Sequence, residues 1–267
     1  MADERKPLGG YTILITRAKD QSYEIAGRIR EFGGTAVCFP MIEIAGPDSW
    51  EACDTSIVNI KKYDGIIFTS ANAVRGFVGR IENNFPHVKD ILKRRSIYAV
   101  GKKTKEVLSQ YGIPAGAVPG EYSADALVEM ITKPGAEGKT FLLPAGNLTR
   151  DIIDNGLTEA GAVVERARVY TTRKPDTVDT VRLQQLITER AVDVVTFFSP
   201  SGAHHFFELI DPALVGDIPV AVIGKTTYDA VAGYGIYPKI RPDEATGEEL
   251  VHSISEYIRN VRKAKHE

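Results

Sequence analysis

The sequence is poor in the residues that announce a metal, a disulfide framework or a membrane. Its 267 residues hold two cysteines, Cys38 and Cys53, which have no metal-ligand spacing and no other cysteines beside them. A pair of reduced cytosolic thiols is the expectation. No apolar run approaches the roughly 18 residues of a membrane span. The opening MADERKPLGG holds no apolar core of the kind a signal peptide needs. Neither sign of charge dominates: 33 Lys and Arg against 35 Asp and Glu leave a net of −2, which gives nucleic acid or an anionic membrane no electrostatic reason to bind. The expected setting is cytoplasmic, with no nucleic-acid or membrane partner.

Several catalytic and cofactor signatures are missing as well. The segments GKKT (101–104) and GKTT (224–227) lack the glycine arm of a P-loop. No GxGxxG follows a strand with an acid about twenty residues on, and there is no GxSxG elbow or zinc spacing. Of the histidines His87, His204, His205, His252 and His266, only His204 and His205 adjoin a candidate loop. Adjacent residues on a helix point to different faces, so the pair is not read as a chelate. The expectation is a site with no metal, no cofactor and no nucleophile–base pair.

What is present is an ordinary globular composition, 43% hydrophobic and 25% charged, in a chain long enough for two domains. Short β-branched or aromatic runs at 12–16, 65–69, 97–100, 140–143, 194–198 and 220–223 read as strands. Each leads through a small-residue loop into helical periodicity; Ile25, Ala26, Ile29 and Phe32, for example, share one helix face. Strand alternating with helix predicts an α/β protein with parallel sheets covered by helices on both faces.

The organising signal is a repeat. YDGIIFTSANAVRGFVGRI matches VDVVTFFSPSGAHHFFELI with Asp64 and Asp193 129 residues apart. IYAVGKKTKEVLSQYGI matches VAVIGKTTYDAVAGYGI, with Gly101 and Gly224 123 apart, and SADALVEMI matches TGEELVHSI at the same offset. The N-terminal strand–helix unit matches the mid-chain unit, with Gly10 and Gly138 128 apart. The order of the copies allows two contiguous lobes, or one continuous lobe and one built from both chain ends. The long runs VCFPMIEI and VERARVYTTR have few turn signals and suit crossings between lobes, and Pro40 fits a bend or an edge. The second assembly is therefore preferred: a discontinuous domain of residues 1–40 and 172–267, a contiguous domain of 41–171, and linker strands at about 37–44 and 163–173.

Six loops at strand C-terminal ends are where such sheets bind ligands: TRAKDQS, TSAN, GKKT, PAGNLTRD, SPSG and GKTT. Their hydroxyls could simply cap helices. As a set they expose helix N-termini, whose free N–H groups and positive dipole end suit carboxylates or phosphates. Arg17, Lys102, Lys103, Arg150 and Lys225 could meet acidic groups, or could be solvated. Tyr170, on the second crossing, could turn a phenol into the cleft or pack as an ordinary strand aromatic.

The combination resembles the uroporphyrinogen-III synthase family. The matching pieces are ILITR at 13–17, FP-x-IEI at 39–44, DGIIFTSANAV at 64–74 and AVGKKT at 99–104, then VYTT at 169–172, FFSPSGAHHF at 197–206, AVIGKTT at 221–227 and TGEELVHSI at 246–254. They stand in family order over nearly the whole chain. The resemblance implies two flavodoxin-like domains, one discontinuous, joined by a two-stranded β linker. It implies a cofactor-free lyase that closes the linear tetrapyrrole hydroxymethylbilane to uroporphyrinogen III, inverting ring D and losing water, in haem, sirohaem or cobalamin biosynthesis. A transient contact with the preceding deaminase goes with that role. By position, Tyr170 becomes the candidate catalytic group, Thr104, Ser199 and Thr227 hydroxyls lining the cleft, and Ser70, Gly101 and Gly224 backbone contacts. Arg17 is kept as a carboxylate partner. The PAG at 144–146 departs from an arginine common there, for which Arg150 could compensate, and Lys225 stands where a small residue or proline is common.

Two other classes fit the same loops. A hinged, non-catalytic protein binding an acidic small ligand would keep its affinity without the Tyr170 hydroxyl. A flavodoxin-like FMN protein would be yellow, and a second aromatic clamp is lacking. No exposed apolar stripe argues for an obligate dimer, so a monomer is expected, and the basic tail at 259–265 is read as a solvated helix end.

Overall fold

The computed structural model describes residues 6–116, 119–120 and 123–264; His266 and the last residue of the basic tail lie outside them. The chain runs β1 (Thr12–Ile15), α1 (Lys19–Glu31), β2 (Thr35–Cys38), β3 (Glu43–Ala45), α2 (Glu51–Val58), β4 (Gly65–Phe68), α3 (Ala71–Asn84), α4 (Lys89–Leu92), β5 (Ser96–Ala99), α5 (Lys102–Gln110) and α6 (Ala124–Thr132). It continues through β6 (Thr140–Gly146), α7 (Ile152–Glu159), β7 (Val163–Arg173), α8 (Thr180–Thr188), β8 (Val194–Phe197), α9 (Pro200–Leu209), α10 (Pro212–Val215), β9 (Val220–Val222), α11 (Lys225–Ala232) and α12 (Gly247–Ala264). The alternation of strand and helix expected from the sequence is present. None of these helices is long and apolar enough to cross a membrane.

Contacts divide the chain into two units, residues 1–43 with 173–267 and residues 44–172. In the first, the sheet order is β2-β1-β8-β9, with Ile240 bridging in parallel to Ala221 beyond β9. Counted along that unit, the order is second, first, third, fourth and then the bridge, the flavodoxin-like sequence of strands. The second unit has the order β3-β7-β6-β4-β5. Apart from the added β3, this is the same order entered at its third strand, so the repeat is a duplicated sheet with one copy circularly permuted. The registers of β1–β2, β1–β8 and β8–β9, and of β4–β5, β4–β6 and β6–β7, are all parallel.

Period-2 alternation explains why both faces of each sheet are covered. On β4, Ile66 and Phe68 enter one apolar cluster with Phe77 of α3 and Leu108 of α5, while Ile67 enters another with Leu127 of α6 and Leu157 of α7. In the first unit, Leu14, Val195 and Phe197 pack toward α8 and α9, and Ile13, Ile15 and Val194 toward α1 and α12. β4 and β8 are buried at every residue, as parallel strands flanked on both sides must be.

The runs expected as crossings differ in detail. Residues 37–44 are not one strand. β2 ends at Cys38 as a full partner of β1; Phe39 and Met41 still donate to the carbonyls of Ile15 and Thr16 at 2.9 Å, and the next strand is β3. Pro40 sits between these two donors at the end of an edge strand, where its missing N–H costs β1 no hydrogen bond. Residues 163–173 are one strand, but its first eight residues are sheet rather than free crossing, since Val163 to Tyr170 pair with Thr140 to Gly146. Alternate burial at Ala167 and Val169 is what such a paired strand requires.

Candidate active site

In the unit of residues 44–172, the strand ends nearest the reversal of strand order belong to β6 and β4, the place where open α/β sheets bind ligands. β4 delivers Ser70 as the N-cap of α3, where its Oγ accepts from the backbone N–H of Ala73 at 3.1 Å. β7 delivers Tyr170. The β6–β7 register slips at this point: Ala145 pairs with Arg168, and Gly146 with Tyr170, so Val169 is an extra residue. Strict alternation would set Tyr170 on the face opposite Ala167 and Val169. The bulge re-aims it, and its ring packs against the same cluster as they do. The Tyr170 hydroxyl then lies 3.3 Å from Ser70 Oγ.

Two glycines make room for this arrangement. A Cβ on Gly146 would stand 2.4 Å from Tyr170 Cζ and 2.8 Å from its hydroxyl, so the ring lies directly across the end of β6. A Cβ on Gly76 of α3 would stand 2.4 Å from the Val169 carbonyl oxygen, so the helix rests on the bulge itself. The loop after β6 is held at several points. Thr149 Oγ1 accepts from Gly146 N–H at 3.1 Å. Asn147 donates to the Thr172 carbonyl at 3.0 Å and accepts from its N–H at 2.8 Å. Arg166 donates to both carboxylate oxygens of Asp154, to Asp151 and to the Arg150 carbonyl. The Arg150 guanidinium is exposed and makes no hydrogen bond or ion pair within the described residues. Gly101 caps α5 without a side-chain acceptor, leaving the first-turn N–H groups open to a ligand, and Thr104 is buried in that turn.

The unit of residues 1–43 and 173–267 repeats the plan with different chemistry. Ser199 caps α9, accepting from Gly202 N–H at 3.1 Å as Ser70 does from Ala73. Beside Gly202, however, stands the Cγ2 of Ile42, 4.0 Å from where a Cβ would be. The second unit thus sets a phenol 3.3 Å from its cap serine, whereas in the first both Ile42 Cγ2 and Thr16 Oγ1 stand 4.0 Å from where a Cβ on Gly202 would be. Thr16 and Thr196 lock β1 to β8 by donating to the carbonyls of Thr196 and Leu14 at 2.7 and 2.8 Å. Arg17 stacks over Phe198 at 5.1 Å and donates to Gln21 at 2.8 Å. Gly224 caps α11 with no side-chain acceptor, Thr227 is buried, and Lys225 pairs with Asp229 at 3.0 Å. His204 and His205 diverge, one to the Tyr234 hydroxyl and the other to the Met41 carbonyl. Among the described residues no His, Cys, Asp or Glu cluster could hold a metal.

Of the residues read from the sequence, Ser70 and Tyr170 are brought into direct contact. Gly101 and Thr104 begin α5, which packs with α3 in one apolar cluster, and Arg150 ends the loop that starts at Gly146. In the sequence Gly146 and Asn147 read only as part of the PAGNLTRD loop, and Arg166 and Gly76 are not singled out. An alternation rule cannot show a bulge, although a glycine and an asparagine at the end of a strand were signals that the loop has its own geometry.

A family model described as uroporphyrinogen-III synthase HemD matches residues 23–255. A uroporphyrinogen-III synthase of Chlorobaculum parvum is 31% identical over 249 residues, spanning 93% of this chain and 99% of that protein. Another, from Synechococcus elongatus, is 31% identical over 91% of this chain and 89% of its own length. Among solved structures, a mutant uroporphyrinogen III synthase of Thermus thermophilus matches with a TM-score of 0.66 at 18% identity, over 95% of this chain and 100% of that one. A uroporphyrinogen-III synthetase of Helicobacter pylori matches with a TM-score of 0.64 at 18% identity, over 92% and 99%. At that identity these two matches speak to the fold.

Proposed function

The chain belongs to the uroporphyrinogen-III synthase family, and we propose that it closes hydroxymethylbilane to uroporphyrinogen III with Tyr170 as the catalytic group. The enzyme is a lyase of tetrapyrrole biosynthesis: the linear substrate loses its terminal hydroxyl as water and its ends join with ring D inverted. The observation that carries the assignment of Tyr170 is its hydroxyl, aimed by the bulge at Val169 across Gly146 to within 3.3 Å of Ser70.

The hydrogen-bond inventory suggests how the pair works. Ser70 Oγ already accepts from Ala73 N–H, and its own proton can be donated to the phenol oxygen. That leaves the Tyr170 proton for the departing hydroxyl of the substrate. The leaving group then departs as water rather than as hydroxide. The substrate closes readily without help to the uninverted isomer, so the greater need is for shape. Favouring one closure 100-fold takes about 2.7 kcal/mol, and holding both ends in one geometry supplies energies of that order.

The acetate and propionate groups of the substrate suit the remaining positions. Arg150, Gly101 and the first turn of α5 offer one set of carboxylate partners; Arg17, Ser199, Gly224 and Lys225 offer another. Thr104 and Thr227 lie buried in the first turns of α5 and α11, beside the N–H groups that do the binding. A cytoplasmic monomer, meeting the upstream deaminase only transiently, is the setting this proposal assumes. The test is incubation with freshly generated hydroxymethylbilane, then oxidation and isomer analysis. Isomer III is the expected product; isomer I alone, at the level of the enzyme-free control, overturns the reading and leaves a binding protein for acidic ligands.

A further inference from the structure

The geometry points to Asn147 as a positioning residue for Tyr170: its carboxamide takes the place of the next peptide group of β6 and holds β7 in register just past the phenol. The inference rests on Tyr170 being the catalytic group.

β6 ends at Gly146, where the chain turns: Thr149 N–H donates to the Gly146 carbonyl at 3.3 Å, and Thr149 Oγ1 accepts from Gly146 N–H at 3.1 Å. The backbone of residue 147 has therefore left the ladder, and Tyr170 would be the last paired residue of β7 on this side, immediately after a bulge. The side chain of Asn147 continues the pairing instead. Its Nδ2 donates to the Thr172 carbonyl at 3.0 Å, and its Oδ1 accepts from Thr172 N–H at 2.8 Å. A carboxamide carries the same donor and acceptor as a peptide group, and both distances are those of good hydrogen bonds. Tyr170 thus lies between two fixed points, Gly146 before it and Thr172 after it.

The arrangement has a bearing on chemistry because the phenol has little tolerance. Its ring lies where a single methyl on Gly146 would collide with it, and its hydroxyl reaches Ser70 at 3.3 Å. A strand end that frays after a bulge would shift the hydroxyl by a large fraction of that distance. Misplacements of about 1 Å at a reacting group can cost roughly 100-fold in rate.

The test uses Asn147→Ala and Asn147→Asp, each alone and combined with Tyr170→Phe, assayed with hydroxymethylbilane. Asn147→Ala is expected to lower kcat about tenfold or more with KM within about twofold, to raise the share of isomer I, and to cost nothing further when Tyr170 is already Phe. The ionised carboxylate of Asn147→Asp keeps the acceptor but loses the donor, and the protonated acid regains it. Its activity relative to wild type is therefore expected to rise as pH falls toward the ordinary carboxyl range near 4, while the ratio for Asn147→Ala stays flat. Amide hydrogen exchange at Thr172, read without substrate, is expected to quicken in Asn147→Ala, which loses the acceptor for that N–H. Unchanged exchange overturns the clamp. Quickened exchange with wild-type kcat, or a loss that adds in full to that of Tyr170→Phe, overturns the positioning role. Wild-type turnover in Tyr170→Phe removes the catalytic reading and this inference together, whereas a slow Tyr170→Phe beside a wild-type Asn147→Ala removes this inference alone.

Discussion

The hydroxyls of Tyr170 and Ser70 meet at 3.3 Å although the residues stand 100 positions apart in the chain. One comes from a bulged strand and the other from a helix cap, so the contact joins the two local irregularities of the sheet end. Tyr170→Phe removes the proton donor and leaves the ring packing intact. Turnover is expected to fall about 100-fold, the lower end for loss of a general acid, with the melting temperature nearly unchanged. Ser70→Ala is expected to slow turnover less and to lower stability by about 1 kcal/mol, because it removes the cap of α3 as well. Single-turnover rates with isomer analysis check the first expectation and thermal denaturation the second. Equal rate losses from Tyr170→Phe and from the single hydroxyl replacements would argue that preorganisation is spread over the loops.

Gly146→Ala tests the space beneath the ring. The new methyl would stand 2.4 Å from Tyr170 Cζ, so the ring must move or the strand end must part. A cost of about 1–3 kcal/mol is expected, as for other overpacked sites, together with a slower reaction. In a Tyr170→Ala background the collision is gone, and the same substitution is expected to cost little stability. Urea unfolding of the four proteins gives the coupling directly; additive costs would show that Gly146 is needed for some other contact.

Much of the architecture was legible because it is written in periodicities. The runs at 65–69 and 194–198 became β4 and β8, fully buried strands whose neighbours cover them on both faces. Ile25, Ala26 and Ile29 form the buried face of α1, as their spacing implied. The repeat was readable for a further reason: equivalent strands in the two units occupy equivalent places in the sheet order, so they face the same packing demands.

The site was legible only in part. Ser70 and Tyr170 could be named, since a cap serine and a strand tyrosine have chemistry that stands out. Their contact could not, because it depends on the extra residue at Val169, and alternation alone would have set Tyr170 on the opposite face. Asn147 was hidden for a similar reason: its side chain acts as backbone, and no spacing rule distinguishes that from an ordinary loop asparagine. The run at 37–44 reads as one extended segment with Pro40 at a bend or an edge; the structure interrupts it between Cys38 and Glu43, with Pro40 at the end of the edge strand β2.

The two cysteines give a prediction independent of catalysis. Cys53 is fully buried in α2, and burial, with Asp54 next to it, pushes its thiol up to about 12. The thiolate is the reactive form, so at pH 8 Cys53 is protected both by access and by ionisation. Cys38, at the end of β2, is exposed, although partial burial raises its thiol too. A disulfide reagent at pH 8 is expected to titrate one thiol in the folded protein and both in guanidinium. Rapid reaction of both thiols without denaturant would place α2 among the locally unfolding elements.

The pair that ties α2 to α3 predicts a pH dependence. Arg80 donates to Asp54 through Nε at 2.8 Å and Nη2 at 2.6 Å, and its guanidinium stacks over Trp50 at 5.0 Å. The hydrogen bonds from Arg80 hold the Asp54 carboxyl below its ordinary value of 3.8. A depressed carboxyl stabilises the fold fully at pH values above that ordinary value. The contribution is lost as pH falls from there through the lower folded value, where the native carboxylate finally takes up its proton. Both side chains are partly open to solvent, at 23% and 30% exposure, so screening limits the effect. Asp54→Asn is expected to cost about 1 kcal/mol at pH 7, and the difference from wild type is expected to shrink in the acid range as the native carboxyl protonates. Denaturant unfolding of both proteins at pH 7 and near pH 3 measures it. A difference that stays constant between the two would mean that Asp54 acts through packing rather than charge.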